Sequence, residues 1–220
     1  MKWQMRDLKA GLLAVLIVVG LGVETRTAHA AGTEVVTVAG GCFWCVEADF
    51  EKVRGVREVV SGYTGGSVAD PTYKQVTRGG TGHYEAVEIT YDPAKISARQ
   101  LYDMFFRSVD PTDAGGQFCD RGNSYRTAIF VSDTAQKQAA KAAKADAEKT
   151  LGQKIVTPIL QASEFYNAED YHQDYYKGDD FVLTRFGPKR QSAAYKRYRE
   201  ACGRDETVKA LWGASAPFLK

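Results

Sequence analysis

Cys42 and Cys45 stand one helical turn apart, directly after Gly40-Gly41, where a β-branched run gives way to a helical pattern. A thiol at a helix start is a candidate nucleophile. Unpaired N–H groups and the helix dipole there favour the thiolate, which predicts a pKa for Cys42 below the ordinary value of about 8.5. A lone cysteine in such a place is often only a small buried hydrophobe, so its neighbours decide. Glu85 lies in an alternating run, residues 83–91. Its odd positions, His83, Glu85, Val87, Ile89 and Tyr91, make the better core face. A carboxyl turned inward loses hydration, its pKa rises, and it stays protonated near pH 7, as a general acid must. Type and spacing thus offer a nucleophile and a proton donor.

The elements that must hold these groups can be read in outline. Residues 34–39 predict a strand and residues 42–53 a helix, with Val46, Phe50 and Val53 recurring at helical spacing. A second strand is expected over 57–63, ending at Gly65-Gly66, and a short helical turn after Asp70-Pro71-Thr72. Asp92-Pro93 turns the chain. Ser97 and Gln100 form a capping box for a helix striped by Leu101, Met104 and Phe105. Residues 110–124 read as a long loop, a class more often functional than idle. A strand over 125–131, a helix over 134–151 stopped by Gly152, and an edge strand over 155–160 interrupted by Pro158 complete the readable part. The order predicts an α+β fold with a mixed sheet rather than a doubly wound parallel one.

Composition narrows the field. A formal net charge of +2 over 220 residues, with no basic stripe, gives nucleic-acid binding no electrostatic support. Residues 1–30 carry Lys2, Arg6 and Lys9, then an apolar run from Leu12 to Val23, then Ala28-His29-Ala30. That is the pattern of a secretory signal peptide, and the run is short for a membrane-spanning anchor, which is the alternative. The expectation is a leader over 1–30, one domain over 31–220, and an exported, periplasmic protein with no span after cleavage. Export permits disulfides among Cys42, Cys45, Cys119 and Cys202, in any of three pairings. With three histidines and no second ligand pair at metal spacing, a zinc site is not expected. A thioredoxin-type dithiol oxidoreductase is the better rival, since it also opens a helix with Cys-x-x-Cys. A non-catalytic exported binding module is a further alternative.

Longer motifs are more specific. Gly41-Cys42-Phe43-Trp44 resembles the active-site motif of the A-type peptide methionine sulfoxide reductases, the MsrA family. The likeness continues through Gly62-Tyr63-Thr64-Gly65-Gly66, Asp70-Pro71-Thr72-Tyr73, Gly82-His83 with Glu85-Ala86-Val87, and Tyr91-Asp92-Pro93. It runs on through Asp120-Arg121-Gly122 and Tyr125-Arg126 to Ala168-Glu169-Asp170-Tyr171-His172-Gln173. Each motif alone is weak; the ordered series over residues 34–176 is strong.

The resemblance implies a two-layer α/β sandwich with a ferredoxin-like core, and reduction of methionine S-sulfoxide in oxidised proteins or peptides. It implies Cys42 as nucleophile, Glu85 as acid, and Tyr73 and Tyr125 as donors to the sulfoxide oxygen. Phe43 and Trp44 would hold the methyl group, Asp120 would orient, and His83 would support the substrate site by hydrogen bonding. Cys42 would pass through a sulfenic acid to a disulfide, recycled by an external thioredoxin-like dithiol without metal or bound cofactor. The second thiol is left open by the residues: Cys45 is closest in sequence, while Cys119 and Cys202 either pair structurally or relay oxidation outward. A monomer is expected.

Overall fold

A computed structural model describes residues 32–184 and 187–219; the leader expected over 1–30 lies outside the described residues. The strands are β1 Glu34–Gly40, β2 Val56–Thr64, β3 Tyr84–Tyr91, β4 Gly116–Gln117, β5 Asp120–Arg121, β6 Thr127–Val131, β7 Ile159–Gln161, β8 Phe165–Asn167, β9 Phe181–Thr184 and β10 Gly187–Arg190. The helices are α1 Phe43–Phe50, α2 Tyr73–Arg78, α3 Ala98–Phe106, α4 Thr134–Leu151, α5 Gln191–Ala201 and α6 Arg204–Trp212.

Six strands form the main sheet in the order β7-β6-β1-β3-β2-β8. All neighbours are antiparallel except β6 and β7, so the sheet is mixed as expected. Its centre, β6-β1-β3-β2, is traced as β1-α1-β2-β3-α3-β6, the ferredoxin-like arrangement. One face carries the helices. Val87, Ile89 and Tyr91 of β3 meet Val46 and Phe50 of α1, Leu101 and Phe105 of α3, and Ala140, Ala143 and Ala147 of α4 in a single core. The even positions Tyr84 and Ala86 pack on the opposite face, with Ala39, Ala128 and Phe130. The alternation along β3 therefore holds, and it aims Glu85 at the helical layer.

Local chemistry sets the element ends. The Ser97 hydroxyl accepts from the Gln100 N–H and the Gln100 side chain reaches back to Ser97, so α3 begins on a capping box. α4 starts on Asp133 and stops at Gly152, whose φ of 63° admits the left-handed turn. α1 is shorter than its apolar spacing suggests, because residues 51–53 leave it as a turn. The edge strand also starts later, at Ile159: Pro158 donates nothing to the ladder, but its carbonyl accepts from Ile129 at 3.0 Å.

Two segments are built where the sequence is hard to order. Residues 110–124 are not structureless. Gln117, fully buried, bonds Asp110 through both its amide groups, and a small β4–β5 hairpin closes over it. The C-terminal part forms the β9–β10 hairpin, α5 and α6. α5 lays Tyr195 and Ala194 against Cys45 and Ala48, so α1 is covered by the sheet on one side and by α5 on the other. None of the described helices is long and apolar enough to cross a membrane.

Candidate active site

The turn from β1 into α1 places the nucleophile. Gly41 takes a φ of 82°, and a Cβ there would lie 2.6 Å from the Gln117 side chain, so only glycine fits. Cys42 follows as the residue capping α1, but its side chain makes no capping hydrogen bond. The first N–H of the helix, that of Phe43, donates to Glu85 Oε2 at 3.1 Å. A carboxyl, not the thiol, takes up this N–H.

That detail reverses one expectation. The Cys42 thiol is pushed well above its ordinary range, first by burial, then by its hydrogen bond to Cys45, and further by Cys45, Glu85 and Asp120. Cys42 therefore rests as a thiol. Burial outweighs the dipole here: Cys42 is only 7% exposed, and the first N–H of α1 goes to Glu85. Cys45 moves the opposite way: the thiol of Cys42 lowers it most, Arg204 and Arg199 help, and burial opposes.

Glu85 behaves as its place on β3 suggests. It is 1% exposed and its carboxyl is pushed up to about 8. Burial is the cause, assisted by the charges of Asp120 and Cys45 and opposed by the Phe43 N–H and the Tyr125 hydroxyl. The group holds a proton at pH 7. β3 lies between β1 and β2 in the sheet, so this proton is carried on a rigid element.

Cys42, Phe43, Trp44, Tyr73, Glu85, Asp120, Tyr125 and Tyr198 line one cavity of about 50 Å³. Cys42, Phe43 and Glu85 are buried and form its floor, while the other five are partly exposed around the mouth. Burial pushes the phenols of Tyr73 and Tyr125 upward, so both stay hydrogen-bond donors. A sulfur nucleophile, a neutral carboxylic acid and two phenolic donors thus share one small space. Every predicted site residue around Cys42 and Glu85 is there except three cysteines and His83.

Cys45 lies beneath, 2% exposed, with its thiol free like that of Cys42. Cys119 and Cys202 are joined as a disulfide with Cα atoms 4.9 Å apart, so in this state neither offers a thiol to Cys42. His83 does not face the cavity. Its Nδ1 accepts from the Gly66 N–H at 3.2 Å and its Nε2 donates to the Val68 carbonyl at 2.8 Å. A Cβ at Gly66 would lie 2.5 Å from this ring, which explains the glycine. The ring supports the turn after β2 rather than a substrate.

Several residues around the site carry no role in the reading of the sequence. His172, buried and pushed down to about 4 by burial against the pull of Glu169, is neutral and accepts from Trp44 Nε1 at 3.2 Å. Tyr175 stacks on the Trp44 ring at 3.8 Å between centroids, 6° from parallel. Glu169 accepts from the Tyr73 N–H at 2.9 Å and the Tyr63 hydroxyl at 2.8 Å. Gln173 bonds both backbone groups of Ser61. Glu47 fixes α1 to the same segment through Ser61 Oγ and the Asp174 N–H. The motif from Ala168 to Gln173 is thus the brace of the aromatic wall. Its dense polar and aromatic content was the available signal. Tyr198 and the buried pair Asp49–Arg199, 2.8 Å apart, had none.

Comparison with known proteins agrees with this geometry. Residues 34–213 match the family model for peptide methionine sulfoxide reductase. The peptide methionine sulfoxide reductase MsrA 2 of Rhizobium meliloti is 48% identical over 189 residues, covering 86% of this chain and 88% of that protein. Its namesake in Caulobacter vibrioides is 47% identical over 205 residues, covering 91% and 98%. Among solved structures, Mxr1 from Saccharomyces cerevisiae in reduced form has a TM-score of 0.63 at 33% identity, covering 66% of this chain and 85% of its own. Methionine sulfoxide reductase A of Corynebacterium diphtheriae has 0.61 at 34%, covering 66% and 74%. With the cavity, the fold and the sequence in agreement, this chain belongs to the peptide methionine sulfoxide reductase family, on its MsrA branch.

Proposed function

We infer that the cavity at Cys42 reduces methionine S-sulfoxide, in oxidised proteins or peptides, to methionine. The observation that carries this reading is one shared cavity holding the Cys42 sulfur and a protonated Glu85. The sulfoxide oxygen receives hydrogen bonds from Tyr73 and Tyr125, and its methyl group rests against Phe43 and Trp44. Cys42 attacks the sulfur, forming a sulfur–sulfur bond, while Glu85 delivers its proton to the sulfoxide oxygen. Since Cys42 rests as a thiol hydrogen-bonded to Cys45, its own proton has a neighbouring acceptor. The protonated oxygen then passes to the Cys42 sulfur as the transient sulfur–sulfur bond breaks, so methionine leaves with its electron pair restored and Cys42 is left as a sulfenic acid. Asp120 helps by charge, holding the Glu85 proton in place.

Cys45 is the resolving thiol. Its sulfur attacks the Cys42 sulfenic acid, a disulfide forms, and water carries the oxygen away. Supporting this are the Cys42–Cys45 hydrogen bond and the cations Arg199 and Arg204, which favour a Cys45 thiolate. An external thioredoxin-like dithiol then returns both sulfurs to thiols. No metal or bound organic cofactor takes part, and the protein works as a monomer. Residues 1–30 direct it out of the cytoplasm to the periplasm, so that dithiol must also act there. An exported form starting at Ala31, identified by its intact mass, tests this assignment; retention of residues 1–30 at a membrane would replace it.

The resolving step is tested by letting the enzyme turn over once without reductant and mapping its disulfides by mass spectrometry. Cys42–Cys45 together with an intact Cys119–Cys202 is the expected product. A first product linking Cys42 to Cys119 or Cys202 would remove Cys45 from this role.

A further inference from the structure

Tyr198 enters the cavity from α5, far along the chain from every other residue that lines it. Its ring meets Trp44 edge-on, at 6.2 Å and 84°. Its hydroxyl donates to Asp120 Oδ2. These contacts set it opposite the acid and beside the aromatic wall.

What holds it there is a short ladder between two chain segments. Phe118 and Cys119 form the turn of the β4–β5 hairpin and Asp120 opens β5, while Tyr198, Cys202 and Arg204 lie at the end of α5 and the start of α6. The Arg204 guanidinium sits 4.8 Å over the Phe118 ring. Cys119 and Cys202 are bonded. Asp120 accepts from Tyr198. The disulfide is thus the central rung, flanked by a cation–π contact and a charge-assisted hydrogen bond.

The two sides differ in what they could do without that rung. Arg204 is anchored independently, with its guanidinium donating to the Gly40 and Ser108 carbonyls in the core. The turn is not. Phe118 holds a φ of 54°, a strained value for a residue with a side chain, and Cys119 is exposed to solvent. A strained, exposed turn relaxes unless something restrains it. Gln117 fixes its root and pairs with Asp120 across the ladder, but the Asp120 carboxylate is held by Tyr198. Cys202 also lies one turn after Tyr198, and its N–H donates to the Tyr198 carbonyl at 3.0 Å, so the cross-link is directly coupled to the tyrosine.

We propose that Tyr198 is a positioning residue of the sulfoxide pocket, and that the Cys119–Cys202 disulfide is the clamp that keeps Tyr198 and Asp120 together at its mouth. This rests on the reading of the cavity as a methionine sulfoxide site. In it, the disulfide carries no electrons during turnover. It closes the wall against which Trp44 and the substrate methyl group pack, and keeps the Asp120 carboxylate near Glu85.

The test is a double-mutant cycle on the first chemical step. Reduced Cys42 and Cys45 are mixed with a methionine sulfoxide peptide without reductant, and methionine formed in the single turnover is followed against peptide concentration. Tyr198→Phe and the pair Cys119→Ala/Cys202→Ala are each expected to raise the half-saturating concentration about tenfold, with the rate at saturation within threefold of wild type. Combined, they should still give about tenfold, because both break the same wall. A combined effect near one hundredfold would overturn the proposal, as would an unchanged half-saturation for Tyr198→Phe. If the disulfide-free chain does not fold, Tyr198→Phe with the disulfide intact decides alone. A wild type that forms no methionine would instead overturn the reading of the site.

Discussion

Replacing Glu85 by glutamine removes a proton donor while changing little else. The glutamine oxygen can still accept the Phe43 N–H that Glu85 now takes at 3.1 Å, so the turn into α1 keeps its tie to β3. With its carboxyl pushed up to about 8, Glu85 is roughly 90% protonated at pH 7 and roughly 10% at pH 9. The protonated form is the active one, so the first-turnover rate should be sustained below pH 8 and fall as pH rises through it, approaching tenfold per unit. Loss of a positioned acid costs about 10²–10⁴ in rate, or about 3–5 kcal/mol of barrier. Rapid-quench single turnovers from pH 5.5 to 9.5, wild type against Glu85→Gln, measure both effects. The variant should be slower by that factor and should lose the falling limb near pH 8. A variant within threefold of wild type, or one that keeps the limb, would refute Glu85 as the acid.

Two further outcomes follow from the surroundings of the site. Trp44→Ala removes the ring stacked on Tyr175 and bonded to His172, and should raise the half-saturating sulfoxide concentration about tenfold or more; binding equal to wild type would take Trp44 out of the methyl pocket. Glu47 is buried and its carboxyl is pushed up to about 7, mainly by burial. A raised folded-state value means its contribution is fully present below about pH 4.5 and is lost as pH rises through 7, on the order of 3 kcal/mol by pH 8.5. Urea unfolding of Glu47→Gln at pH 5 and pH 8.5 should show about 2.5 kcal/mol less decline than wild type, since part of the loss has already occurred at pH 5, and identical declines would contradict it.

The readable parts of this molecule are those set by short-range chemistry. Ser97 with Gln100 caps α3, Gly152 stops α4, and the period of two along β3 turns Glu85 inward, each within a few residues. The cysteine at the head of α1 is legible too, yet the sign of its shift is not. That sign is set first by burial and then by the hydrogen bond to Cys45, with the Glu85 charge from β3 adding to it. Tyr198 and its bond to Asp120 span 78 residues, and Trp44 and His172 are 128 apart. Nothing local marks such pairs, because they exist only once α5 and the segment after β8 have packed on α1. His83 shows the reverse error. It shares a strand face with Glu85 in the sequence pattern, but it precedes β3 and its ring is held by the turn at Gly66.

The central claim is that the sulfur of Cys42 takes the oxygen from methionine sulfoxide. Wild type and Cys42→Ser, each with the Cys119–Cys202 disulfide intact, can be incubated with a methionine sulfoxide peptide without reductant and the methionine counted. Close to one methionine per wild-type chain and none from Cys42→Ser is the expected result. Equal yields from the two proteins would contradict it.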